Sequence, residues 1–226
     1  MLPFSVQYYN MNRIQRARVL GIQFLTPSTY VLKTERRKFT FIPGQCVNIG
    51  VPGAAINREY STYSGIHDTY LEFLIKKIDH GLVSSAIAQL RLGAEITLDG
   101  AYGGFIIDQP LKHSRYVFIC TGTGIAPFHS YVKSYPWLSY QIIHGVRFKT
   151  EEYARADYGK GQYISCLSQD SGGDFSGRVT NYIKKIPLKF DTLYYLCGNK
   201  EMINQVYDIL RNKKINGSNI FTEVFF

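Results

Sequence analysis

Five consecutive apolar residues, Tyr116-Val117-Phe118-Ile119-Cys120, run directly into Thr121-Gly122-Thr123-Gly124. A strand apolar on both faces has to be covered on both faces, which is the situation of a parallel sheet. A glycine-rich turn behind it, opening into a helical stretch, is a phosphate-binding unit of an α/β sheet, because helix-start N–H groups face outward there. Pro127 stands where a third glycine of Gly-x-Gly-x-x-Gly would be, and no Lys-Ser/Thr pair follows, so this is neither that fingerprint nor a P-loop. Further strands are expected at 139–145, 162–167 and 193–198, and helical runs at 151–156, 178–185 and 201–212. In the last run Met202, Val206, Ile209 and Leu210 share one face. Strand alternating with helix predicts a doubly wound parallel sheet over residues 111–226, with ligands at the C-terminal strand ends, where Thr121, Arg147, Ser168 and Gly198 gather.

Residues 1–110 have a different grammar. Short aromatic and β-branched runs (16–22, 29–33, 38–42, 45–49, 70–76, 95–98) are separated by turns such as Pro27-Ser28 and Pro43-Gly44. That density predicts an antiparallel β-barrel. One helix interrupts it, with Ser84 expected to cap the run 85–90. Arg58-Glu59-Tyr60-Ser61 combines a planar cation, a flat ring and a hydroxyl on one strand, where Arg58 and Tyr60 share a face. By itself it is equally a polar edge strand ending in a turn.

Of the 226 residues, 45% are hydrophobic and 19% charged, as in ordinary globular proteins. Neither a membrane-length apolar run nor a signal-peptide pattern is seen, so the expected compartment is the cytoplasm. Cys46, Cys120, Cys166 and Cys197 lack the spacing of a zinc or iron–sulfur site, and no metal is expected. The net charge is +9: residues 1–110 hold 11 Lys/Arg against 8 Asp/Glu, and residues 111–226 hold 15 against 9. A dispersed basic excess without a Lys/Arg block suits phosphorylated cofactors and acidic protein partners better than nucleic acid.

Taken in order, Arg58-Glu59-Tyr60-Ser61, Gly81-Leu82-Val83-Ser84, residues 121–128, Cys197-Gly198-Asn199 and the end Glu223-Val224-Phe225-Phe226 resemble the ferredoxin–NADP(+) reductase family of flavoproteins, in its compact bacterial form. The resemblance implies an FAD-binding barrel (1–110), an NAD(P)-binding α/β domain with an aromatic tail (111–226), and hydride transfer between nicotinamide and flavin. Carried over by position, Arg58, Glu59, Tyr60, Ser61, Gly81, Leu82, Val83, Ser84, Thr123, Phe225 and Phe226 serve FAD. Arg58 takes the pyrophosphate, Tyr60 and Phe225 stack on the two flavin faces, and Ser61 serves N5. Thr121, Gly122, Gly124, Arg147, Ser168, Gln169, Arg178, Cys197 and Gly198 serve NAD(P). Ser61, Cys197 and Glu223 are the expected catalytic group.

One position departs from the family. NADP-specific members have Ser-Arg after the third strand, whereas here Ser168-Gln169 is followed by Asp170. An acid near the ribose favours NADH, while Arg147 and Arg178 remain as phosphate partners. The terminal Phe pair and the overall form tilt the expectation to NADPH. The implied partner is an acidic ferredoxin or flavodoxin, with no nucleic acid and no membrane insertion. The alternative is an NADH-dependent reductase component delivering electrons to an oxygenase, and a third reading is a non-enzymatic flavin-binding subunit.

Overall fold

The computed structural model describes residues 14–51, 53, 56–111 and 114–225, in two compact units, Met1–Ile106 and Ile107–Phe226. Phe226, assigned above to FAD, lies outside the described residues.

The first unit is an antiparallel barrel of six strands: β1 (Gln15–Thr26), β2 (Thr29–Glu35), β3 (Cys46–Gly50), β4 (Asn57–Ser61), β5 (Tyr70–Lys76) and β6 (Glu95–Tyr102). Their order is β4-β3-β6-β1-β2-β5. The twelve-residue β1 makes the corner: Gln15–Arg18 pair with β6, and Val19–Thr26 pair with β2 through two register shifts. Just past β4, the Tyr63 N–H donates to Glu72 O of β5 at 2.8 Å, so the two ends of the sheet are brought together. Alternate residues point inward, as the pleat requires, and Val19, Leu32, Val47, Ile49, Phe73, Ile75, Ile96 and Leu98 fill the core.

Residues 38–42 are not the strand their aromatic alternation suggested. They form a loop that still buries Phe39 and Phe41. The Arg36 guanidinium pins it, donating to Phe39 O (3.1 Å), Ile66 O (2.7 Å) and Asp68 O (2.7 Å). Burial of rings supplies the same alternation a strand would, so the pattern alone could not separate the two.

In the second unit the strands are β7 (Arg115–Thr121), β8 (Ser139–Val146), β9 (Tyr163–Leu167), β10 (Phe175–Ser176), β11 (Thr192–Gly198) and β12 (Ile220–Val224). All pair in parallel, in the order β10-β9-β8-β7-β11-β12. Together with α1 (Leu82–Ala88) of the barrel, the helices are α2 (Ala126–Ser134), α3 (Val179–Lys185) and α4 (Lys200–Asn212). Ile119, Ile143 and Leu196 pack against α3 and α4 through Ile183, Val206 and Leu210. On the other face Phe118 stacks on Phe128 of α2 at 4.8 Å and 11°. Helices therefore cover both faces, as the apolar β7 run demanded.

The helix expected at 151–156 is replaced by two 3₁₀ turns, Lys149–Glu151 and Arg155–Asp157. Ala154 takes a left-handed φ of 53° between them. The Glu151 carboxylate accepts from the N–H groups of Arg147 (2.9 Å) and Phe148 (3.2 Å), closing the first turn on itself. Among the described residues no helix is long and apolar enough to cross a membrane.

Gly145, near the end of β8, sets how closely α3 can approach. A Cβ there would lie 2.4 Å from Val179 Cγ2. Gly145→Ala should lower stability by about 1–3 kcal/mol through overpacking, and adding Val179→Ala should recover part of that loss. Thermal melts of the three proteins check this; equal melting points for Gly145→Ala and the native chain would contradict it.

Candidate functional site

In the first unit, the predicted residues come from two stretches held by the barrel interior. The Gln45 carbonyl accepts from the Thr62 N–H (3.0 Å) and hydroxyl (3.2 Å), and Cys46 pairs with Ser61 across β3 and β4. The end of β4 is thereby fixed. Ser61 is buried, Tyr60 half-buried and Arg58 exposed. Burial pushes the Tyr60 phenol up to about 12, against the nearby Arg58 charge, so the ring stays neutral. Among the described residues the Arg58 guanidinium donates only to the neutral Asn57 carbonyl, at 2.9 Å.

The second stretch is the start of α1, where the expectation needs correcting. Gly81, not Ser84, is the N-cap, and Ser84 lies in the first turn. Its hydroxyl accepts from the Ile78 N–H at 3.1 Å, and its carbonyl accepts from the Tyr30 hydroxyl at 2.6 Å. Those two bonds hold the serine inward. A Cβ on Gly81 would sit 2.9 Å from Ile78 Cβ and Ser84 Oγ, so only glycine fits that turn. The first bond of this helix is Ser85 N–H to Gly81 O, so the N–H groups of Leu82, Val83 and Ser84 precede it. Burial, and after it the nearby Tyr60, hold the Tyr30 phenol above its usual range, so the two stretches lie close together inside the barrel. An unopposed guanidinium, a half-exposed neutral ring, a hydroxyl and a turn of donors make a donor set that suits an aromatic group joined to a pyrophosphate.

The second unit gathers its predicted residues where β7 and β11 end. The chain leaves β7 toward β8 on one side and returns through β11 and β12 on the other, which makes this the switch point of the sheet. A Cβ on Gly124 would lie 2.5 Å from Cys197 O, and one on Gly198 would lie 2.5 Å from Thr121 Oγ1. The two backbones therefore touch, and the Asn199 N–H donates to Thr121 Oγ1 at 3.1 Å. Gly198 also has a φ of 129°, which only glycine adopts freely. Asn199 then caps α4 by accepting from the N–H groups of Glu201 (2.9 Å) and Met202 (3.3 Å). Gly122, Thr123 and Gly124 lie in the 3₁₀ turn Gly122–Ile125 that leads into α2.

Cys197 pairs with Glu223 on β12 and with Cys120 on β7. It is fully buried, and burial with the nearby carboxylate holds its thiol well above the usual range, so it remains protonated. Glu223 is half-buried. The Phe225 N–H donates to Gly198 O at 2.9 Å, which puts the half-buried Phe225 at the same strand end.

A third group lies past β8 and β9. Backbone pairing continues beyond both strands, with Ser168 N–H to Val146 O and Gln169 N–H to Arg147 O, each 3.0 Å. Arg147, Ser168 and Gln169 are thus exposed neighbours, and the exposed Arg178 is the N-cap residue of α3, next to Gly177, whose N–H donates to Leu167 O. The Asp170 carboxylate accepts from the N–H groups of Lys149 (3.0 Å) and Ser171 (2.8 Å), which holds it below the usual carboxylate range. Among the described residues neither Arg147 nor Arg178 has a side-chain partner.

Sequence reasoning missed the groups behind these sites: Tyr30 under Ser84, and His144 with Tyr163 under the glycine-rich turn. The signal for His144 is a solitary histidine in the apolar run Gln141–Val146, which by itself says only that its nitrogens need partners. Among the described residues no group of three metal ligands occurs.

Residues 27–107 match the family described as "Oxidoreductase FAD-binding domain". The toluate 1,2-dioxygenase electron transfer component of Pseudomonas putida is 31% identical over 93% of this chain and 67% of its own length, so this chain spans about two thirds of it. The ferredoxin–NADP reductase of Azotobacter vinelandii is 25% identical over 88% of this chain and 90% of its own. Among solved structures, a ferredoxin NADP+ reductase from Neisseria gonorrhoeae with bound FAD and NADP overlays with a TM-score of 0.85 at 22% identity, covering 96% of this chain and all of that one, a likeness of fold.

Burial lowers His144 from its ordinary 6.5 to about 4, against the opposing pull of the Gly122 carbonyl and Glu151. Between those values the unfolded chain binds a proton that the folded one does not, so stability is full above pH 6.5 and falls as the pH drops toward 4. Urea midpoints of the native chain should therefore fall more steeply over that window than those of His144→Phe. Parallel slopes in the two proteins would contradict this.

Proposed function

The chain belongs to the ferredoxin–NADP(+) reductase family, and on that premise we propose that it transfers hydride between NADPH and FAD and single electrons to or from a small acidic ferredoxin or flavodoxin. Bound FAD supplies the exchange between two-electron and one-electron chemistry. The protein's part is to bind, orient and control protons.

On this reading Arg58 and the N–H groups of Leu82, Val83 and Ser84 hold the FAD pyrophosphate, with Glu59 alongside. Tyr60 presents a neutral ring to the flavin, and the buried Ser61 hydroxyl serves as hydrogen-bonding partner near its reacting nitrogen. Thr121, Gly122 and Gly124 form the pyridine nucleotide turn, with Thr123 on its flavin side. Cys197, protonated and enclosed, shapes the strand end rather than acting as a nucleophile, and the neighbouring Glu223 carboxylate is the group available to hold a proton. Phe225, anchored through Gly198, is the aromatic cover.

The observation that carries the choice of NADPH is the occupation of Asp170. A ribose-binding acid needs lone pairs to spare, and each oxygen of this one already accepts from a backbone N–H, Lys149 on Oδ2 and Ser171 on Oδ1, which leaves fewer for a ligand. Beside it two guanidinium groups, unpaired among the described residues, and Ser168 form a cationic corner for a 2′-phosphate, with Gln169 where the family carries arginine. The net charge of +9 suits an acidic carrier through electrostatic steering. A second reading, an NADH-dependent component serving an oxygenase, draws on that glutamine and on the 31% identity to the dioxygenase component. The cytoplasm remains the proposed location.

Anaerobic titration followed by flavin absorbance tests the choice. NADPH should bleach the flavin at a concentration at least about tenfold lower than NADH, as for a retained charge-assisted contact. Arg147→Ala and Arg178→Ala should each remove much of that preference. Preference for NADH in the native protein would select the oxygenase reading. Arg58→Gln should weaken FAD binding about tenfold or more, from loss of a charge-assisted phosphate contact, read by quenching of flavin fluorescence. Unchanged affinity would remove Arg58 from the flavin site.

A further inference from the structure

His144 does not reach the surface, yet both of its nitrogens are spoken for. Nε2 is 2.8 Å from Gly122 O and Nδ1 is 2.7 Å from the Tyr163 hydroxyl. A carbonyl can only accept, so Nε2 carries the hydrogen. In the neutral ring Nδ1 is then bare and accepts from the Tyr163 O–H. The tautomer is set by its neighbours.

We infer that His144 is a positioning residue for the nucleotide-binding turn, holding the Gly122 carbonyl inward through Nε2–H while Nδ1 accepts from the Tyr163 hydroxyl. This rests on the reading of residues 121–124 as the pyridine nucleotide turn. His144 lies opposite Cys120 on the neighbouring strand, directly beneath the turn. The Gly122–Thr123 peptide is trans and planar, so drawing its carbonyl inward aims the Thr123 N–H the opposite way. Among the described residues that N–H has no hydrogen-bond partner, and it is a donor available to an anion. Gly122 has a φ of 53°, and a Cβ there would meet nothing within 4 Å, so no side chain at this position helps to hold the peptide. The imidazole supplies the restraint that the glycine gives up.

Tyr163 is itself held. It stacks on Tyr158 at 5.3 Å and 5°, and the Arg155 guanidinium lies 5.2 Å from its ring. Arg155 in turn bonds Glu152, Ser165 and both oxygens of Asp174. The support for Gly122 thus extends from the buried His144 and Tyr163 to the exposed Arg155–Asp174 pair in the loop behind β9. If His144 served only to fill space, an aromatic hydrocarbon of similar shape would replace it without effect on the nucleotide.

The test is steady-state NADPH oxidation with ferricyanide as acceptor, alongside FAD affinity. His144→Phe should raise KM for NADPH about tenfold, the worth of one fixed hydrogen bond, with kcat within about twofold and FAD affinity unchanged. His144→Gln, whose amide N–H reaches the Nε2 position, should recover most of the loss; His144→Asn, which is too short to reach Gly122, should not. Tyr163→Phe should fall between, because Nδ1 then loses the hydroxyl that fixes the ring's orientation. An unchanged KM in the Phe variant, or equal KM values for Gln and Asn, would overturn the assignment. If the Phe variant does not fold, the order of Gln, Asn and Tyr163→Phe decides on the same terms. Failure of the native protein itself to oxidise either NADPH or NADH would be seen first, and would overturn the underlying reading of the turn.

Discussion

The second unit depends on one close approach, that of the turn after β7 to the end of β11. Gly124 and Gly198 let backbone lie against backbone, where a single Cβ would come within 2.5 Å of Cys197 O or Thr121 Oγ1. From that contact the rest follows. Thr121 is near enough to accept from the Asn199 N–H, Asn199 is placed to start α4, and β12 returns so that Phe225 bonds to Gly198. Glycine is present because something else must occupy the space, and each such position loses conformational entropy on folding that surrounding packing must offset.

The barrel solves the corresponding problem differently. Its α1 turn is not wedged by backbone but tied from inside, by the Tyr30 hydroxyl on Ser84 O and by the Ile78 N–H on Ser84 Oγ. A buried hydroxyl without a partner costs about 1–3 kcal/mol, so the tyrosine and the turn specify each other. That inward commitment leaves the first-turn N–H groups, rather than the serine side chain, as the donors on offer. Both units thus keep a buried hydrogen-bonding group directly behind a glycine-containing turn at the start of a helix: Tyr30 in one, His144 in the other.

Charge is arranged with the same economy. Acids close to the cationic corner are already engaged: Asp170 with Lys149 and Ser171, Glu151 with Arg147 and Phe148 N–H groups, Asp174 with Arg155 and Ser165. Among the described residues Arg147 and Arg178 are left without an opposing side chain. A hydrogen-bonded carboxylate keeps its charge but has fewer lone pairs for a ligand, and so the identity of residue 170 by itself does not fix what the corner binds.

By itself the sequence determined the architecture. The apolar β7 run required a sheet covered on both faces, and the alternating short strands ahead of it required a barrel, because periodicity reports burial directly. It determined the family as well, since Arg58 to Ser61, residues 81–84, 121–128 and 197–199 are contiguous motifs in fixed order. Where burial arises without regular structure it misled: Phe39 and Phe41 are buried in a loop, and Ala154 breaks what reads as a helix at 151–156. Only the tertiary structure decided the partners. That His144 holds Gly122, that Tyr30 holds Ser84 and that Asp170 is spent on backbone are contacts across 22, 54 and 21 residues of sequence. No local pattern encodes them, because hydrogen bonds are chosen by distance and direction in the folded chain.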